Sequence, residues 1–375
     1  MKFKLIERYI LKIYIPIFIL ISLMFLVFFV VGDLVDISKT VISNSIDLSI
    51  TAEYFINIIP FYYVKYIMPV SNLLAVFIAI GLLMKNNELI AMRACGLSSS
   101  YIFFPLILFS ILLTAFSIYL SLDIIPKHKQ KARYIKTYKI KQKKTNNEII
   151  FDIFLNIKNN MTLSAESFKF NDEKNVIINK ITLTEIENAA IKMRIDALEC
   201  RFINNSWVLF NGVKRILNDA GEEISCVQFL EFNMSKELNF NETPDDIYAL
   251  YKIQNTDKDE FTYSELQKFS KLFKKTGFQT EWIETDLFYM ISFPFSNLIL
   301  ILFGLPIAIH SSKTNISYGF GLSLMICFCF WISSYIFTAL GHRAIINPFL
   351  ATNITNIIFF LMSFVLHNYL KNRII

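Results

Sequence analysis

Six long apolar runs punctuate the chain, at Ile13–Val31, Pro60–Met84, Tyr101–Leu122, Leu287–Ile309, Tyr318–Leu340 and Phe349–Leu366. Each is close to the ~20 residues that an α-helix needs to cross a bilayer, so the pattern predicts six spans, three on either side of a polar section. In that section the period drops to two. EIIFDIFLNI, NMTLSAESFKF, NVIINKITLTEI, IKMRIDALECRFI, SWVLFNGVKRIL and SCVQFLEFNM alternate apolar and polar positions, at least in part, between breaks such as Asn171–Asp172 and Asn218–Gly221. Short alternating runs of this kind predict an antiparallel sandwich or jelly roll. Thr262-x-x-Glu265 then has the form of a capping box, opening a helix that Gly277 is expected to end. The expected layout is residues 1–125 for three spans with a short cytoplasmic helix at 86–99, 126–261 for a β-jelly-roll domain, 262–283 for a helical connector and 284–375 for three more spans. The fold class is thus an α-helical membrane protein, three plus three, with an inserted extracytoplasmic antiparallel β domain.

Composition agrees, since 54% hydrophobic and 15% aromatic residues in 375 positions, gathered in blocks, exclude an ordinary soluble domain. The first run follows basic residues but is long enough to span and lacks a small-residue cleavage site, which predicts a retained helix. With the N-terminus inside, Lys2, Lys4, Arg8, Lys12, Lys85, Arg93, Lys313, Lys371 and Arg373 are cytoplasmic, while Lys39 and Arg343 are outside. That asymmetry orients the chain with both termini cytoplasmic and residues 123–283 across the membrane. The basic run Lys127–Lys144 counts against this orientation, but long domains translocate largely regardless of charge. The net charge of +6 sits beside apolar runs and in one polar block with no nucleic-acid motif, so no nucleic-acid partner is expected.

Little in the chain has the form of a catalytic or metal centre. Cys95, Cys200, Cys226, Cys327 and Cys329 form no CxxC pair; only Cys200 and Cys226 share a section where they could bond, and two small core residues is the favoured reading. His128, His310, His342 and His367 are scattered and read as interfacial. Glu222–Glu223 and Asp245–Asp246 read as solvated turns. No GxxxxGK[ST] occurs, so any ATP-driven step belongs to another subunit. No cofactor is expected. The segment Asn86–Ser99, NNELIAMRACGLSS, is different: Glu88, Met92 and Cys95 share a helical face, Ala91 and Ala94 keep the adjacent stripe thin, and Gly96 stops the helix. It reads either as a docking element or as a plain helix–turn between spans.

ELIAMRACGLS resembles the cytoplasmic coupling segment of the LptF/LptG lipopolysaccharide-export permeases. The resemblance extends to Glu7-Arg8-Tyr9 at the start, the three-plus-three layout around a β domain, Pro294 and Gly304-Leu305-Pro306 in the fourth span, and Leu340-Gly341 and Asn347-Pro348 before the last. It implies a permease in the bacterial inner membrane, with its β domain periplasmic, that extracts lipopolysaccharide or a related glycolipid. Implied partners are a cytoplasmic ABC ATPase dimer, a second permease of this family and a periplasmic jelly-roll bridge protein. On this resemblance Glu88, Ala91, Met92, Arg93, Ala94 and Gly96 form the element that an ATPase groove receives.

The resemblance also bears on the far end of the first span, where Leu34, Val35, Asp36 and Lys39 keep the LptG-type register but Asp33 replaces an expected lysine. Lys39 is therefore the one lipid-contacting cation carried over, and the match favours LptG over LptF. Lys127, Lys129, Lys131 and Arg133 leave the third span where acidic headgroups would pass; they form either an anionic-lipid collar or a linker that binds ordinary anionic lipid. Phe25, Phe28 and Phe29 with Phe328, Phe330, Trp331 and Tyr335 are candidate walls of a lipid cavity, against ordinary bundle packing. The rival function is a membrane-anchored β-domain receptor or scaffold without transport, for which 86–99 is replaceable by any neutral linker.

Overall fold

The computed structural model describes residues 5–142, 149–157, 161–171, 175–187, 190–218, 221–238, 240, 242–276, 279–311 and 316–371. Lys2, Lys4, Lys144, Asp172, Gly277, Lys313 and Arg373, used above for orientation, turns or helix ends, lie outside them. The chain forms two compact units, one of residues 1–143, 259–267 and 281–375, the other of residues 144–258 and 268–280.

Among the described residues of the first unit six helices are long and apolar enough to cross a membrane: Leu5–Ser43, Leu48–Lys85, Tyr101–Ile140, Glu281–Ile309, Tyr318–His342 and Pro348–Tyr369. They are called the first to sixth spans below. The three-plus-three order is the expected one, but the helices overrun the apolar runs. The first three are 39, 38 and 40 residues long, so helix continues past Val31 and Leu122 and begins well before Pro60. Hydropathy stops where charge begins, whereas Lys, Arg, Gln and Ala remain good helix formers. The overrun of the third span is also laced to acidic neighbours, beginning with Asp123 and Lys127 at 2.7 Å. Two π turns, Tyr63–Ile67 and Leu120–Ile124, are followed two residues on by Pro69 and Pro126. Each proline removes one helical donor, and a wide turn absorbs the break without ending the helix.

Polar side chains tie the spans together inside. The Tyr14 hydroxyl donates to Asn72 Oδ1, and Asn72 Nδ2 donates to the Asn297 carbonyl at 3.0 Å and to Ser110 Oγ at 3.3 Å. Asn297 Nδ2 in turn donates to Ser117 Oγ at 3.2 Å and to the carbonyl of Pro294 at 3.0 Å, a group at the short 3₁₀ turn Phe293–Phe295. One amide pair thus links the first four spans. Asn356 Nδ2 donates to the Ser292 carbonyl at 2.9 Å, joining the sixth span to the fourth. His342 Nε2 lies 2.9 Å from the buried carboxylate of Asp286, joining the fifth to the fourth. His342 is therefore not an isolated interfacial residue, nor is His128, whose Nδ1 is 3.0 Å from Asn57 Oδ1.

The second unit is one antiparallel sheet of six strands, β1 (Ile149–Ile157), β2 (Met161–Asn171), β3 (Asn175–Glu187), β4 (Ala190–Ile203), β5 (Ser206–Leu217) and β6 (Glu223–Asn233), in sequential order. Hairpins make this order natural. Between β4 and β5, Asn204 and Asn205 both have positive φ (49° and 62°) across the Ile203–Ser206 pair, the two-residue turn whose twist suits a hairpin.

The meander acquires jelly-roll character from a bend shared by its strands. On β3 the buried Val176 and Ile178 are followed by Ile181 and Leu183; on β4 Met193, Ile195 and Ala197 are followed by Cys200; on β5 Trp207 and Leu209 are followed by Gly212. Each sequence contains one step of three in place of two. The extra residues, Lys180, Leu198 and Asn211, face one another in register, and Lys180 and Asn211 have positive φ (46° and 52°). A one-residue offset swaps the faces of a strand, so an offset shared at one level folds the sheet along a line and lets both halves face one core. Gly212 sits at this fold, where a Cβ would stand 2.3 Å from the Phe229 ring and 2.5 Å from the Asp196 carbonyl oxygen.

Two helices complete the section. Pro244–Asn255 opens with a capping box in which Thr243 N donates to Asp246 Oδ2 at 2.8 Å and Asp246 N to Thr243 Oγ1 at 3.3 Å. Asp246 is buried and is thus a helix cap, not the solvated turn its neighbour Asp245 suggested. The Thr262–Glu265 box forms as expected, with Thr262 N donating to Glu265 Oε2 at 2.9 Å, and opens the helix Tyr263–Thr276. Cys200 is buried, Cys226 is exposed and both are free thiols; burial pushes the Cys200 thiol pKa up.

Two outcomes are expected. Asn72→Leu should cost about 1–2 kcal/mol, read as a lower apparent Tm of the detergent-solubilised protein, whereas an unchanged Tm would mean the amide carries no stability. Gly212→Ala should cost about 1–3 kcal/mol from overpacking and should speed limited proteolysis of the β domain in the full chain.

Candidate functional site

The link between the second and third spans is a sequence of local stops and starts. Asn87 takes the left-handed conformation (φ 57°) and its carbonyl accepts from Ala91 N at 3.0 Å, launching the short helix Glu88–Ala94. Asparagine visits this region at low cost. The helix ends at Gly96 (φ 84°), where Gly96 N donates to the Arg93 carbonyl at 2.9 Å and Leu97 N to the Met92 carbonyl at 3.3 Å. This paired reverse bonding is a Schellman stop, which favours glycine because an L side chain is strained at that φ. Ser98 Oγ then accepts from Tyr101 N at 3.3 Å, capping the third span.

Three side chains anchor this helix: Leu89 is fully buried, and Met92 and Leu97 pack on the core of the spans. The opposite side presents Ile90, Ala91, Ala94, Cys95 and Gly96 to solvent. The face expected to carry Glu88, Met92 and Cys95 together is therefore divided. Met92 turns inward, and Glu88 is tied sideways by Tyr9 Oη at 2.7 Å and Asn86 Nδ2 at 3.2 Å. Arg93 lies partly under the surface, with Nε and Nη2 buried and without a hydrogen-bond partner among the described residues. That burial lowers the guanidinium pKa from its ordinary value, and the group still carries its charge because arginine starts so high. The thin exposed stripe of Ala91, Ala94 and Gly96 beside this cation is a surface that another protein can approach closely.

At the other end of the first span the charges are mutually engaged. Asp33, out of place as a cation site in the sequence, is buried and accepts from Tyr54 Oη at 2.6 Å, Tyr62 Oη at 3.1 Å and Lys136 Nζ at 3.2 Å. A lysine does stand at this point, brought from the third span. Of the expected collar, Lys127 pairs with Asp123 at 2.7 Å, Lys129 with Asp259 at 3.3 Å, Lys131 with Glu53 at 3.2 Å and Arg133 with Glu260 at 3.1 Å. Lys65, a charge inside the second span, also pairs with Asp259. Lys129 is buried, and its ammonium sits 3.9 Å from the centre of the Phe61 ring. Lys39 is exposed with no ion pair to a described residue.

The aromatic candidates separate into two groups. Phe29 stacks on Tyr66 at 5.6 Å, Tyr66 meets Trp331 edge-on at 5.9 Å, and Trp331 meets Phe328 at 5.9 Å. This line runs from the first span through the second to the fifth. Phe28, Phe328 and Tyr335 are exposed, whereas Phe330 is buried against Phe359. Sequence reasoning missed Tyr66, the residue that joins the two sets, and also Tyr9, Asp33 and Lys136 as partners. Each acts across the fold, and nothing in its local sequence marks that partner.

The chain was compared with known proteins. No curated protein matches it. The model of the lipopolysaccharide export system permease LptF/LptG matches residues 8–369, nearly the whole chain, in agreement with the six apolar helices and the inserted six-stranded sheet. The chain belongs to the LptF/LptG family of lipopolysaccharide-export permeases.

Proposed function

We propose that this chain is one of two permease subunits seated on a separate cytoplasmic ATPase dimer. In this role it draws lipopolysaccharide, or a related glycolipid, from the outer leaflet of the inner membrane and passes it through its periplasmic β domain to a jelly-roll bridge. The termini and the 86–99 loop then face the cytoplasm, as the lysine and arginine asymmetry favours. The observation that carries this reading is the coupling helix: a short element closed at Gly96 by backbone hydrogen bonds, with Ala91, Ala94 and Gly96 on its free side and Arg93 lacking an acceptor among the described residues. A plain connector has no need of either feature. Glu88, Ala91, Met92, Arg93, Ala94 and Gly96 thus serve ATPase coupling in two ways, Met92 and Glu88 fixing the helix and the others meeting the partner.

At the lipid end the aromatic line Phe29–Tyr66–Trp331 lines one side of the acyl-chain path, between the first and fifth spans. Lys39, Lys127, Lys131 and Arg133 are the accessible cations for headgroup phosphates, and carboxylates hold the last three in place until an anionic lipid competes. Lys129, buried on Asp259 and Phe61, is structural in this scheme. The LptG-type form is favoured by the register at Leu34-Val35-Asp36 and by the capped helix Tyr263–Thr276.

The test is co-purification in mild detergent. The parent should retain a nucleotide-hydrolysing subunit, and Ala94→Arg should weaken its retention about tenfold or more, equivalent to ~1.4 kcal/mol, without lowering the Tm of the permease itself. A parent that retains no ATPase, or an Ala94→Arg variant that binds as well as the parent, removes the reading.

A further inference from the structure

The coupling loop is held at its entry by a side chain near the start of a different helix. Tyr9 Oη donates to Glu88 Oε2 at 2.7 Å, just where the short helix begins, while Asn86 Nδ2 holds the other Glu88 oxygen at 3.2 Å. The start of the first span therefore touches the loop at its entry. From that point the first span continues as one helix to Ser43, 39 residues in all, which at ~1.5 Å per residue is a rod of about 58 Å. Near its far end Asp33 is clasped by Tyr54, Tyr62 and Lys136.

We propose that Tyr9 is a positioning residue that makes the first span the lever of the coupling helix, with the Tyr9–Glu88 hydrogen bond as the joint. The proposal rests on the ATPase-coupling reading above and deepens it. A loop that moves while held at its entry by Tyr9 carries the start of the span with it. The helix, which continues through Pro16, then delivers the displacement to the Asp33 clasp, where the first span meets the second and third. The hydrogen bond suits this work because a carboxylate acceptor makes it strong while its exposure lets it re-form after each stroke. A phenylalanine at position 9 would keep the packing and lose the joint.

The experiment uses the permease complex with its co-purified ATPase in proteoliposomes that contain lipopolysaccharide, and reads lipid extracted per ATP hydrolysed. Tyr9→Phe is expected to keep the ATPase bound and hydrolysing while the ratio falls about fivefold or more, the scale of one charge-assisted hydrogen bond. Tyr9→Gln, which keeps a donor, should retain more of the ratio than Tyr9→Phe. Combining Tyr9→Phe with Glu88→Leu should give a ratio no lower than Glu88→Leu alone, since either change by itself removes the contact. A parental ratio in Tyr9→Phe, equal losses in Tyr9→Phe and Tyr9→Gln, or losses that multiply in the double variant each overturn the lever while leaving the ATPase reading intact. Absence of the ATPase from the parent overturns both.

Discussion

The side-chain amide of Asn72 is the point on which the membrane unit depends. Hydrocarbon offers no hydrogen bonds, so a polar group within the bundle must find its partner on another helix or forfeit several kcal/mol. Asn72 meets the requirement by engaging the first, third and fourth spans at once, and Asn297 repeats the pattern one layer away. Apolar contacts between helices in lipid gain little over contacts with lipid itself. The amides therefore select one arrangement among many that bury similar surface, and they set the frame in which Tyr9 reaches Glu88 and Tyr66 reaches Trp331.

Charge is managed by the same rule at the ends of the spans. The carboxylates Asp33, Glu53, Asp259 and Glu260 collect Lys136, Lys131, Lys139, Lys65, Lys129 and Arg133, so that helix persists where hydropathy alone would end it. Buried pairs of this kind add little stability over apolar packing, but losing one partner is costly. They therefore act as fixed joints between helices. The β domain meets its own constraint differently. A meander has one inner face, and the offset shared by Lys180, Leu198 and Asn211 folds that face on itself to enclose a core that includes Trp207 and Cys200.

Much of this was legible from local pattern. The apolar runs, the alternation of the strands, the Thr262–Glu265 box and the Gly96 stop are all written in residues within a few positions of one another, where steric and hydrogen-bond preferences act without the rest of the fold. The helix that runs on to Ile140 was not legible, because a basic stretch reads as solvated until its acidic partners, 78 to 130 positions away for all but Lys127, are placed beside it. Asp246 follows Thr243 at the spacing of a capping box, but the adjacent Asp245 gives the pair the composition of a turn.

Local pattern was enough for the three-plus-three plan, the β insertion, the short helix Glu88–Ala94 and the family, since each rests on periodicity or on a contiguous motif. Tertiary structure alone decided which residues meet. It turned Met92 inward and left Ile90 out, placed Lys136 against Asp33, and set Tyr9 on Glu88 across 79 positions of sequence. Those contacts depend on how six helices pack. Packing is fixed by the sum of many small interactions between distant segments, which no single stretch of the chain records.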